Sequence, residues 1–222
     1  MSCTWSGCTW RSANVMIMGD SFISRLENSL ALQHARGPAA EEMCLREAAW
    51  DLLKAPKEVR FVHFYGLPGS GCTSSVNKQF VIPGEKILNS NVKFAMLEIG
   101  GNDVDSAASV EDIAHSKIAL AESIISLYDV RAVALSTILP RENPRTMDSK
   151  SFRSKALDVN VLTEELVAHN RHLYFHRHCG FWTSNDWTRD GIHPDTEVGL
   201  RKYQKAITSS LHKMIKTYNN NQ

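Results

Sequence analysis

The stretch NVMIMGDSF, residues 14–22, decides the fold. Its first part, Asn14–Met18, contains the apolar run Val15–Met18 and has the length of a buried β-strand. A helical pattern starts at Phe22, directly after the short turn Gly-Asp-Ser at 19–21. A strand that is apolar throughout is buried on both faces, as in a parallel sheet covered by helices. We therefore interpret residues 14–22 as the first strand of an α/β domain and the start of its first helix.

The same alternation of strand and helix patterns continues along the chain. Apolar residues recur every three or four positions in several segments, most clearly in 110–125 and 200–218. This order predicts a three-layer α/β/α, flavodoxin-like domain with a five-stranded parallel sheet. The domain should span residues 14–218, with an N-terminal extension at 1–13 and a frayed tail at 219–222. The later strands are predicted at Val59–Tyr65, Phe94–Ile99, Arg131–Ile138 and Leu173–Phe175, and further helices at Phe22–Gln33, Glu41–Leu53 and Lys155–Asn170.

Composition excludes several classes of protein. The chain has 222 residues, of which 43% are hydrophobic, enough for one sizeable core. A formal net charge of +1 favours neither a nucleic-acid partner nor an anionic membrane surface. No apolar run could span a bilayer and no signal peptide is visible. The five cysteines contain no Cys-x-x-Cys pair, which argues against a disulfide framework and a zinc site. We expect a cytoplasmic protein without cofactor or metal.

Residues able to do chemistry follow the predicted strands. Ser21 follows the first strand, the glycine-rich segment GLPGSG at 66–71 the second, and GGND at 100–103 the third. The segment DGIHP at 190–194 precedes the last helix. Parallel α/β sheets bind ligands beyond the carboxyl ends of their strands, so these residues should meet in one crevice.

Each motif alone has an ordinary explanation. A serine before a helix is often an N-cap, and glycine and asparagine are common in turns. The Asp-x-x-His spacing of Asp190 and His193 also occurs at Asp112 and His115, inside a strong helical stripe, where we interpret it as a solvated helix face. The four motifs therefore carry weight only as a set.

As a set and in this order, the motifs resemble the four blocks of the SGNH (GDSL-type) hydrolase superfamily, over Val15 to about Leu211. Among its members, the chain looks most like small intracellular esterase domains, including those carried by some animal retroelements. The resemblance implies a serine esterase acting on a small-molecule ester. In it, Ser21 matches the nucleophile, His193 the general base and Asp190 the residue that orients the histidine.

The resemblance also implies an oxyanion hole. Its donors would be the backbone N–H of Ser21, the backbone N–H of Gly69 and the side chain of Asn102, with Gly71 as the alternative glycine. A different hydrolase class is excluded, because Ile23 stands where the Gly-x-Ser-x-Gly elbow of α/β-hydrolases needs its last glycine.

Two other functions stay open from the sequence: an acyltransferase, thioesterase or sugar deacetylase of the same superfamily, and a non-catalytic flavodoxin-like binding module. Oligomeric state is also open. We interpret residues 140–153 as a loop on the catalytic side. We interpret three histidines as surface or loop residues: His172, His176 and His178. We expect Cys72 and Cys179 to be buried or partly buried. Three aromatic residues either line a pocket or anchor a loop: Phe181, Trp182 and Trp187.

Overall fold

A computed structural model of the chain describes residues 13–35, 52–181, 186–194 and 198–220. A five-stranded, entirely parallel sheet with the order β2-β1-β3-β4-β5 forms its centre. This confirms the predicted α/β class and strand number. The strands are β1 Ala13–Gly19, β2 Val59–Gly66, β3 Val92–Glu98, β4 Ala132–Ser136 and β5 Leu173–His176.

Strand β4 is shorter than the sequence predicts, and a side chain explains why. The Ile138 N–H donates to Oδ1 of Asn160 at 2.7 Å, and the Ile138 carbonyl accepts from Nδ2 of Asn160 at 3.1 Å. The amide of Asn160 thus takes the place of a neighbouring strand, and the ladder ends before Ile138.

The helices cover both faces of the sheet. Those predicted from residues 22, 110 and 200 are confirmed, whereas the predicted helix Glu41–Leu53 falls almost wholly outside the described residues. The helices are α1 Ser21–Ala35, α2 Gly84–Asn89, α3 Gly101–Val104, α4 Val110–Tyr128, α5 Ser149–Val167 and α6 Gly199–Asn220. The two short helices, α2 and α3, were not predicted.

Helix α5 begins earlier than its apolar pattern predicts, because Asp148 caps it. The Asp148 carboxylate accepts from the backbone N–H groups of Lys150 and Ser151 at 2.9 and 3.0 Å. The predicted loop 140–153 is therefore wrong over its last five residues, which are helical. Helix α6 continues to Asn220, so the predicted tail is helical at residues 219 and 220.

Strand β1 shows how the three layers form. Val15 and Ile17 pack in one core with α1 and α6, while Met16 and Met18 pack in a second core with α4. All four side chains are at most 1% exposed, as expected for a strand covered on both faces. Within the described residues, no helix is long and apolar enough to cross a membrane.

The strand order places a crevice between β1 and β3, where successive connections leave in opposite directions. Gly19 ends β1 against β3, and a Cβ added there would overlap the carbonyl oxygen of Glu98. That same carbonyl accepts the backbone N–H of Asp20 at 3.3 Å. A glycine is thus required at position 19, and it holds the turn before Ser21 at the mouth of the crevice.

Candidate active site

Ser21 is the first residue of α1, and its hydroxyl does not cap the helix. The preceding residue does so, because Oδ1 of Asp20 accepts the backbone N–H of Phe22 at 3.0 Å. The hydroxyl oxygen of Ser21 instead lies 2.8 Å from Nε2 of His193. Sequence left the N-cap and nucleophile interpretations open, and the capping role belongs to Asp20.

A tight turn holds Asp190 and His193 together. Oδ2 of Asp190 lies 2.7 Å from Nδ1 of His193. Its other oxygen, Oδ1, accepts from the backbone N–H groups of Ile192 and His193 at 2.8 and 2.9 Å and from the hydroxyl of Thr188 at 2.6 Å. A carboxylate only accepts, so Nδ1 of His193 carries the proton and Nε2 faces Ser21 as an acceptor.

The electrostatics of this pair suit a base held by an anion. Burial lowers the pKa of His193, and the charge of Arg25 lowers it further. The hydrogen bond from His193 to Asp190 opposes these effects but does not cancel them, so the pKa lies below 6.5. Burial raises the pKa of Asp190, but bonds from Thr188 and His193 outweigh it and hold the pKa well below its usual range. At neutral pH the imidazole is therefore free to accept a proton while Asp190 is ionised.

Aromatic side chains anchor the loop that carries the pair. Trp187 and Phe181 are 6% and 1% exposed and belong to the core shared with α1 and α6. Trp187 also pairs with Pro194 in an antiparallel bridge. Anchoring holds for Phe181 and Trp187, and Phe181 also lines a pocket beside Leu139 and His178. Trp182 lies outside the described residues.

Asp103 and Asn102 tie the third strand's motif to the glycine-rich segment. The fully buried carboxylate of Asp103 accepts from the backbone N–H groups of Cys72 and Thr73 at 3.0 and 2.8 Å and from the Thr73 hydroxyl at 2.8 Å. Nδ2 of Asn102 donates to the carbonyl of Ser70 at 2.8 Å. The two predicted sources of oxyanion donors are thereby held side by side.

Hydrogen bonding distinguishes Gly69 from Gly71. The N–H of Gly71 donates to the carbonyl of Lys78 at 2.9 Å, and a Cβ there would lie 2.7 Å from the Asp103 carboxylate. Gly69 is exposed, has φ of +78°, and an added Cβ would meet nothing within 4 Å. Its N–H has no assigned acceptor within the described part of the chain. These contacts favour Gly69 as the glycine donor.

A buried hydrogen bond between a histidine and a carboxylate lies beside the turn and was missed in the sequence. His178, which follows β5, places Nε2 at 2.9 and 3.2 Å from the two carboxylate oxygens of Glu98. Burial raises the pKa of Glu98, but the charge and hydrogen bond of His178 outweigh it, so the pKa is lowered. His176 and His178 are 9% and 7% exposed, so neither is a surface residue. His176 ends β5, which corrects its assignment, whereas His178 lies in the loop that follows, as predicted. Their two-residue spacing, typical of one strand face, was the available signal.

The two cysteines within the described residues differ. Cys72 is half-buried, as predicted, and burial raises the pKa of its thiol. Cys179 is exposed, which corrects its assignment, because it lies in the loop after β5. Among the described residues, no three His, Cys, Asp or Glu side chains form a group that could hold a metal ion.

Comparison with solved structures places the fold among known hydrolases. A GDSL-like lipase from Bacteroides thetaiotaomicron is 15% identical, with a TM-score of 0.62 over 90% of this chain and 88% of that one. A carbohydrate esterase of family 3 from Talaromyces cellulolyticus is 16% identical, with a TM-score of 0.60 over 92% and 98%. An acetyl esterase with an acetate ion is 14% identical, with a TM-score of 0.58 over 95% and 100%.

No protein-family model and no curated protein sequence matched the chain. At identities this low, the structural likeness shows the fold alone: the chain shares its fold with proteins named as a GDSL-like lipase and a carbohydrate esterase.

Proposed function

We propose that this chain is a serine esterase of the SGNH superfamily that hydrolyses small or acyl-chain carboxylic esters through an acyl-enzyme on Ser21. One observation carries the proposal: an unbroken hydrogen-bonded series runs from the Ser21 hydroxyl through both ring nitrogens of His193 to the carboxylate of Asp190, with separations of 2.8 and 2.7 Å. A nucleophile, a base and a group that orients the base are the three parts that acyl transfer requires.

The first half of the reaction forms the acyl-enzyme. Nε2 of His193 takes the hydroxyl proton as the oxygen of Ser21 attacks the ester carbonyl. Asp190 keeps the imidazole in the reactive tautomer and stabilises the imidazolium that forms. The proton then passes from His193 to the leaving alkoxide as the ester C–O bond breaks, which releases the alcohol.

Three donors would stabilise the tetrahedral oxyanion. The N–H of Ser21 lies in the first turn of α1, where helical N–H groups have no partner within the helix and the dipole favours an anion. The N–H of Gly69 and the side chain of Asn102 would complete the set. In the second half, His193 takes a proton from water as the water oxygen attacks the acyl carbonyl. That proton then passes to the oxygen of Ser21 as the acyl C–O bond breaks, which releases the carboxylic acid and regenerates Ser21.

Hydrolysis of p-nitrophenyl acetate and butyrate at neutral pH tests the proposal. Ser21→Ala and His193→Ala should reduce turnover to background, because each removes a participant in proton transfer. Asn102→Ala should lower kcat by roughly 10²–10³, the usual effect of losing one oxyanion donor. His115→Ala is the matched control: it removes an exposed histidine that also follows an aspartate by three residues, and activity should stay at the wild-type level.

A fluorophosphonate probe gives an independent measurement, since it should modify wild type at Ser21 and leave Ser21→Ala unlabelled. Equal slow rates in wild type and both variants, without labelling, would contradict the proposal and favour a binding module. Product analysis with an added alcohol or sugar acceptor distinguishes hydrolysis from acyl transfer. Esters of acetate come first as substrates, because structures named as an acetyl esterase and a carbohydrate esterase share this fold.

A further inference from the structure

Arg141, in the loop between β4 and α5, is a buried cation in contact with the candidate oxyanion hole. Its side chain is 3% exposed. Nη2 donates to Oδ1 of Asn102 at 3.1 Å, and Nη1 donates to Oδ2 of Asp105 at 3.2 Å. The guanidinium also lies 5.3 Å from the ring centre of Phe152. Burying a guanidinium is expensive unless its donors are used, so these partners hold it in one geometry.

The local sequence is built to admit and fix this guanidinium. A Cβ added at Gly101 would lie 2.9 Å from Nη2 of Arg141, so a side chain there would displace the guanidinium from its present position. The carboxylate of Asp105 is itself held, because it accepts the backbone N–H of Arg145 at 2.7 Å and that of Thr146 at 2.9 Å. Arg141 therefore acts from a rigid support.

Arg141 also lies beside the nucleophile's turn. A small cavity of about 30 Å³ is lined by Asp20 and Phe22, which flank Ser21 in the chain, and by Gly101 and Arg141. The guanidinium is thus placed between the start of α1 and the segment that carries Asn102.

The contacts of Asn102 allow only one orientation of its amide. A guanidinium can only donate and a carbonyl can only accept. Oδ1 of Asn102 must therefore face Arg141, and Nδ2 must face the Ser70 carbonyl. A flipped amide would place two donors together and two acceptors together. Within the described residues, Nδ2 has one assigned acceptor, which leaves its second N–H for a ligand.

We propose that Arg141 is a positioning residue, which holds the amide of Asn102 so that an Nδ2 hydrogen, and not Oδ1, faces the developing oxyanion. The inference rests on the proposed esterase function. Without Arg141, only the contact with the Ser70 carbonyl would oppose a flip of the amide, which would then present its negative end to the oxyanion part of the time. Loss of Arg141 should therefore lower kcat by about 10- to 100-fold, less than the roughly 10²–10³ expected for losing the donor itself. KM should change little, because the contact acts in the transition state.

A structural role needs to be distinguished, because the same loop touches the other half of the site. The backbone N–H groups of Glu142 and Asn143 donate to the carbonyl of Gly191 at 2.7 and 3.2 Å. Gly191 lies between Asp190 and His193, so disorder of the loop could also displace the base. A double-mutant cycle separates the two routes.

The experiment measures kcat and KM for p-nitrophenyl acetate in Arg141→Met and Arg141→Lys, each alone and combined with Asn102→Ala. We expect both arginine variants to lower kcat when Asn102 is present. In the protein that carries Asn102→Ala, the same arginine substitutions should lower kcat no further. Arg141→Lys keeps the charge but lacks the fork that binds Asn102 and Asp105 together, and it provides a second variant should Arg141→Met not fold. Arg153→Met is the control, since Arg153 is an exposed arginine paired with Glu142, and it should match wild type.

Two results would overturn the positioning role: an equal loss of kcat with and without the Asn102 amide, which would indicate displacement of His193, or wild-type kcat in both arginine variants. Failure of the esterase function itself is recognised separately. In that case Ser21→Ala would hydrolyse the ester as fast as wild type, and the role of Arg141 in the reaction would fall with it.

Discussion

Replacing Asp20 by Asn should increase the stability of the protein above neutral pH. The Asp20 side chain is 3% exposed, and burial raises its pKa from 3.8 to about 6, against the opposing effects of the Phe22 N–H and Arg141. One pKa unit corresponds to about 1.36 kcal/mol, so this rise of about two units means that ionised Asp20 destabilises the folded state by about 3 kcal/mol. Asn retains an oxygen that can accept from Phe22 and carries no charge to bury.

The sign follows from proton binding. The folded protein holds the Asp20 proton more tightly than the unfolded chain, so ionisation destabilises the fold. This penalty is absent below about pH 4, grows as the pH rises towards about 6, and is complete above it. The variant should therefore match wild type at about pH 4 and exceed it by up to about 3 kcal/mol at about pH 8.

Urea unfolding of both proteins between about pH 4 and pH 8 measures this difference in the free energy of unfolding. Asp129→Asn is the matched control, because the hydrogen bond from Lys93 lowers the pKa of Asp129 and places its titration below this pH range. The stability difference between that variant and wild type should therefore stay nearly constant between about pH 4 and pH 8. The reasoning would be refuted if Asp20→Asn were no more stable than wild type at the alkaline end, or if the difference did not grow with pH.

Three further predictions concern single positions around the crevice. In esterase assays, Gly69→Ala should lower kcat and Gly180→Ala should not. The two positions are matched, because both glycines have positive φ and open space around them. Equal kcat in the two variants would show that Gly69 is not part of the oxyanion hole. Arg25→Gln should raise the pKa of His193 and so move the acidic limb of the kcat–pH profile to higher pH. Arg25→Lys keeps the charge and should leave that limb in place. An unmoved limb in Arg25→Gln would contradict the electrostatic argument. Gly19→Ala should destabilise the fold by more than about 3 kcal/mol in urea, because its Cβ meets the backbone of β3, and wild-type stability would show that the strand ends can separate.

Local patterns were sufficient to predict most of the fold. Strand β1 could be located because every residue from Val15 to Met18 is apolar, and burial on both faces leaves that signature. The end of β4 could not be predicted, because it depends on Asn160, 22 residues further along the chain. The start of α5 could have been predicted, since Asp148 stands where an N-cap should, but the apolar stripe begins later.

The candidate site divides in the same way. The sequence could predict Ser21, Asp190 and His193. Each lies in a short segment directly after a strand or before a helix, and the apolar pattern locates those strands and helices. The residues that support them were missed. Arg141 reaches Asn102 across 39 positions, and His178 reaches Glu98 across 80. Contacts over such separations exist only once the strand order is known, so a single sequence contains no local pattern for them.

Three carboxylates outside the proton-transfer series show how such a site can be kept rigid although its parts come from distant segments. Asp103 accepts backbone N–H groups of residues 72 and 73, and Asp105 accepts those of residues 145 and 146. Asp20 does the same for the first turn of α1. A carboxylate can accept several N–H groups at once, and charge-assisted bonds of this kind are shorter and stronger than neutral ones. Rigidity at the crevice is thus supplied by buried carboxylates. Arg141 limits the electrostatic cost of burying them, because it lies against Asp105 and its charge lowers the pKa of Asp20.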